Sequence, residues 1–150
     1  MTKFRCTFNF VVSPSSDYLA IGESYDKYMS YVDRIWSSLP DGLKVFISQS
    51  WYYVHTDPRC PHDAIVESLE LNNGNLTMIL RNERHGHLIK FKYIGVKAFF
   101  INTADSGLNF WYDEFEMSSF SVTHKIAGNN KSQIYVECSD VHYESAGSKA

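Results

Sequence analysis

Residues 64–81, AIVESLELNNGNLTMILR, read as two strands joined by a tight turn. Gly74 and a neighbouring asparagine supply the positive φ that a short hairpin loop needs. The same grammar continues downstream. HLIKFKYI, VKAFFINT, NFWYDEFEM, FSVTHKIA and SQIYVECSDVHY are strand-length segments separated by RHG, Gly95, ADSG and GNN. Upstream, KFRCTFNFVV (3–12) alternates apolar and polar residues, the period of a half-buried strand.

Between these lies one block with a different period. Tyr25, Tyr28, Met29, Val32, Ile35, Trp36 and Leu39 recur at three and four, so 25–39 is expected to be an amphipathic helix. Ser24 is its expected N-cap and Pro40 its stop, with Tyr28, Val32, Ile35 and Trp36 packed on a sheet. A short helix near 41–49 then runs into an aromatic connector at Trp51, Tyr52 and Tyr53. The expectation is an α+β fold, mainly β: a single curled antiparallel sheet or sandwich of about eight strands, with one or two helices in the N-terminal half. No repeat or linker interrupts 1–150, which is expected to form one domain with a frayed tail at 144–150.

Composition narrows the function. A net charge of -3 and a pI near 6 argue against collecting nucleic-acid phosphates on a basic face. No apolar run approaches the roughly 18 residues that span a bilayer. The N-terminal run alternates and is too short for a signal peptide, so the expected location is cytoplasmic. Cys6, Cys60 and Cys138 are odd in number and far apart, which fits neither a disulfide framework nor a zinc ribbon. Cys60 is expected in an exposed loop, and Cys138 in the core by its alternation with Ile134 and Val136.

The hairpin is preceded by Cys60-Pro61-His62-Asp63. With His85 and His87, the pair His62 and Asp63 offers enough donors for a metal-assisted hydrolase if the four converge. The plainer reading is a proline-fixed turn in which Asp63 bonds backbone amides at the strand start, with no metal. His124 falls by parity beside Phe120, Val122 and Ile126 and is expected as a bonded core histidine. No phosphate loop, nucleophile elbow or Cys/His pair is present, so no cofactor is expected.

ADSGLNFWYDEFEM (104–117) mixes acids with aromatics. By parity Tyr112, Glu114 and Glu116 share a face with Phe110, while Trp111, Asp113, Phe115 and Met117 take the other. Such a strand is either a solvated face or a contact surface for a basic partner.

The order of features resembles that of small bacterial toxin-immunity proteins. An early helix YDKYMSYVDRIW ends in LP, and HDA opens a hairpin. A YIGV strand, a YDE strand, a His-bearing strand and a terminal hairpin follow. The resemblance spans most of 25–143; it leaves out strand 3–12 and carries over no site residue. It implies a non-enzymatic antidote that binds a cognate toxin in the cytoplasm, as a monomer or homodimer. Nuclease toxins present basic clefts, so Asp105, Tyr112, Glu114 and Glu116 are the expected partner-binding residues, with Asp113 turned inward to a backbone or histidine partner. The alternatives are a β domain that binds a small molecule in an aromatic cavity, and the hydrolase above.

Overall fold

The computed structural model describes Phe10 and residues 18–54, 56–83, 86–103 and 107–146. Strand 3–12 lies, apart from Phe10, outside the described residues. The order is helix α1 (Tyr18–Ile35), a 3-10 turn (Trp36–Ser38) and helix α2 (Asp41–Ile47). Strands β1 (Ile65–Asn72), β2 (Asn75–Asn82), β3 (His87–Ile94) and β4 (Ala98–Asn102) follow, then β5 (Phe110–Ser118), β6 (Ser121–Gly128), β7 (Gln133–Cys138) and β8 (Asp140–Ala146). They form two four-stranded antiparallel sheets, β1-β2-β3-β8 and β4-β7-β6-β5. The α+β, mainly β class is as expected.

The opening hairpin has the expected turn. Asn73 (φ 53°) and Gly74 (φ 77°) are both left-handed, the pair a two-residue hairpin loop requires. The last segment departs from expectation. SQIYVECSDVHY is not one strand: Ser139 divides β7 from β8, and the two halves join different sheets. The Ser139 amide donates to the Ile94 carbonyl at 2.8 Å, which brings the crossing against Gly95. Gly95 has φ 62°, and a Cβ there would stand 2.8 Å from Ser139 Oγ, so a side chain at this position is strained and displaces the serine hydroxyl. β8 runs through Ala146, three residues into the tail expected from 144.

The helix begins earlier than its expected cap. Tyr18, Ile21 and Tyr25 extend the three-and-four spacing upstream, so Ser24 lies inside α1. Leu39, before Pro40, is extended (φ -68°, ψ 140°), as the proline ring demands. Tyr28 and Val32 are buried and Ile35 is half-buried on the core, but Trp36 is 37% exposed. The tighter winding of the 3-10 turn carries Trp36 off the buried stripe, correcting its expected place on the sheet.

α2 lies on β8 through Leu43, Phe46 and Ile47. Phe46 stacks on Tyr143 at 4.7 Å and meets Phe91 edge-on at 5.3 Å. Asp140 accepts from the Gly42 and Leu43 amides, both at 3.1 Å, so β8 itself caps α2. β5 is an edge strand whose outward groups are closed by tyrosines. The Phe115 amide donates to Tyr28 Oη at 3.1 Å, the Met117 amide to Tyr31 Oη at 2.9 Å, and the Tyr53 hydroxyl donates to the Asp113 carbonyl. These bonds cover an edge that would otherwise template strand addition.

Candidate functional site

The connector 51–63 folds over the start of β5 as a chain of tight turns. Val54 N donates to Trp51 O at 2.9 Å, Cys60 N to Asp57 O at 3.0 Å and Ala64 N to Pro61 O at 2.9 Å. Asp63 N donates to Phe110 O at 2.7 Å, fixing the connector to β5. Tyr53 (φ 81°) and Asp63 (φ 66°) are left-handed non-glycine residues. Holding a bulky residue such as Tyr53 there costs about 1–3 kcal/mol, and such strain concentrates at functional sites.

A cleft opens between this connector and β5. Tyr52, Tyr53, Cys60, His62, Tyr112 and Asp113 are among its lining residues. It has about 10 Å³ of water-centre space, room for roughly one water molecule. His62 and Tyr112 meet at its edge, with ring centroids 6.0 Å apart.

Asp113 carries the charge of the cleft. A register break between Phe110 and Tyr112 shifts the face of β5 by one residue. Phe110 therefore points the same way as Asp113 and Phe115, correcting the simple parity that set it beside Tyr112. All three meet His124: Phe110 at 6.3 Å, Phe115 stacked at 4.0 Å, and Asp113 Oδ2 at 2.7 Å from Nε2. Nδ1 lies 2.8 Å from Tyr93 Oη on the opposite sheet. His124 is thus a fully buried, doubly bonded core histidine, as expected, and Asp113 does turn inward to it. Phe120, expected on the same apolar face, sits instead in the β5–β6 turn and is 89% exposed.

Both ring nitrogens are thereby engaged, Nε2 with Asp113 and Nδ1 with Tyr93. Asp113 Oδ1 has no hydrogen bond among the described residues. The residue is 7% exposed and lines the cleft.

The other expected docking residues are placed differently. Tyr112 is half-buried at the rim of the cleft. Glu114 is 1% exposed, so its carboxylate is withheld from a partner. It accepts from the Phe10 amide at 2.8 Å and pairs with Lys125 at 3.8 Å. Glu116 also pairs with Lys125, and its side chain is 39% exposed. Asp105 lies outside the described residues. Parity could have revealed this pairing, because Glu114 and Lys125 face each other across the β5–β6 ladder. The tyrosine caps on β5 had no such signal, since they join residues 60 to 87 positions apart.

Cys60, Pro61 and His62 form part of the cleft wall. Cys60 is buried, not exposed as expected, because the turns after Pro58 fold its side chain inward. Burial, with a smaller contribution from Asp113, pushes its thiol up to about 12. The Asp63 carboxylate pairs with His62 at 3.4 Å. His87 opens β3 opposite Asn82, and His85 lies outside the described residues. Among the described residues, no three His, Cys, Asp or Glu side chains gather to hold a metal ion. No described helix is long and apolar enough to cross a membrane.

No family model matches the chain, and no curated protein matches it. Among solved structures, it is similar to an uncharacterized protein from Neisseria gonorrhoeae. The likeness has 13% identity and a TM-score of 0.47, and covers 55% of this chain and 91% of that one.

Proposed function

We propose that this chain is a non-enzymatic immunity protein that binds and neutralises a cognate, nuclease-type bacterial toxin. The observation that carries this reading is the size of the cleft against the character of its rim. Space for roughly one water admits no substrate, while Tyr112, His62 and the buried Asp113 beneath them make a contact site with a charged floor. Tyrosine combines a rigid apolar ring with a polar tip, and such residues dominate binding energy at protein interfaces. Asp113 is paired through Oδ2 with His124, and Lys125 with Glu114 and Glu116.

On this reading the docking face is centred on Tyr112 and Asp113, with Glu116 beside it supplying an acidic field. Glu114 acts from behind by holding Lys125. The test is to express the chain with the toxin encoded beside it in its own genome, then measure growth and isolate the pair. Restored growth with a stable complex supports the reading. Continued growth arrest, with both proteins made and soluble, overturns it.

A further inference from the structure

We propose that the cleft is a receptor for one primary ammonium group, the tip of a lysine side chain on the toxin. This deepens the immunity reading and rests on it. The first observation is the uncommitted oxygen of Asp113. The Asp113 side chain is 10% exposed, and among the described residues its carboxylate is engaged through Oδ2, by His124. Among the described residues the nearby cation, Lys125, pairs with the two glutamates of the same strand instead. A ligand donor at Oδ1 completes the hydrogen bonding of a buried carboxyl, and a cationic donor makes the strongest such bond.

The second observation is size. The space above Asp113 admits a group no larger than a water molecule. An ammonium is a compact point charge that fits it. A guanidinium is a planar fork with three nitrogens and does not fit without displacing the rim. The third is the rim itself. The Tyr112 ring stands beside the entrance, where its face attracts a cation and its edge packs along a methylene stem.

The probes are n-butylammonium and n-butylguanidinium chloride, which reproduce the two side-chain tips without any toxin. Each is titrated into the folded chain while the Tyr112 and His62 ring resonances are followed by NMR at constant ionic strength. The expected result is a saturable shift with butylammonium, at least about tenfold tighter than with butylguanidinium. Asp113→Asn keeps the size of the side chain and is expected to weaken the ammonium by about tenfold or more. If that variant does not fold, Tyr112→Leu decides, with an expected loss of about threefold or more. A flat titration, equal affinity for the two probes, or an unchanged affinity in a folded variant overturns the proposal. Failure here with toxin neutralisation intact removes the lysine anchor alone. Failure of neutralisation with the amine still bound removes the immunity reading.

Discussion

The Tyr28 hydroxyl accepts a hydrogen bond from the Phe115 amide at 3.1 Å and lies 3.0 Å from the Tyr52 hydroxyl, so one side chain of α1 closes the edge of β5 and braces the connector. Tyr28→Phe leaves a buried amide and a buried phenol short of a partner. Its expected cost is about 1–3 kcal/mol by denaturant unfolding. Tyr31→Phe, at a half-buried bond, is expected to cost less, about 0.5–1.5 kcal/mol. Equal, negligible losses would mean that the hydroxyls do not hold the edge.

His124→Ala removes the hydrogen bond to Asp113 Oδ2 and opens a cavity between the sheets. An expected loss of about 3–5 kcal/mol follows from stranding a buried charge. Adding Asp113→Asn to that variant is expected to recover part of it, because the amide carries no charge. A double variant no more stable than His124→Ala contradicts the reading that the stranded Asp113 side chain causes the loss.

Trp36 gives the opposite result. Its side chain is exposed in the 3-10 turn, so Trp36→Ala is expected to cost less than about 1 kcal/mol. A loss above about 3 kcal/mol would return Trp36 to the core.

Alkaline pH tests the buried thiols. Burial lifts both Cys60 and Cys138 to about 12, against an ordinary value near 9. Between these values the unfolded chain has lost the two protons and the folded chain keeps them. Stability is therefore complete below pH 9 and falls as pH rises towards 12, by about 1.4 kcal/mol per pH unit for each thiol. Tyr52, Tyr53 and Tyr93 are also raised by burial and add to the fall. Cys138→Ala is expected to flatten the slope of unfolding free energy against pH; an unchanged slope would mean that Cys138 ionises freely in the folded protein.

What the sequence made legible was local. Asn73 and Gly74 announced their turn because only a left-handed pair closes a two-residue loop. Val122, Ile126 and Cys138 announced their burial through alternation. Alternation fails where one residue is added. The break at Phe110–Tyr112 re-aimed Phe110, and Ser139 sent one apparent strand into two sheets. Glu114 misled for a related reason. Its face of β5 looks solvated in isolation, but Lys125 and Phe10 cover it from distant parts of the chain. The cleft itself was written in pieces, at 51–63 and 110–113, and only the fold brings them together.

The central claim is neutralisation by binding, and titrating toxin activity tests it most directly. Purified toxin is assayed against increasing amounts of the chain, and the toxin is then recovered and weighed by mass spectrometry. The expected result is activity falling in proportion to added chain and reaching zero at one equivalent, with the toxin's mass unchanged. Loss of activity at a small fraction of an equivalent with a changed mass, or full activity in excess chain, would contradict it.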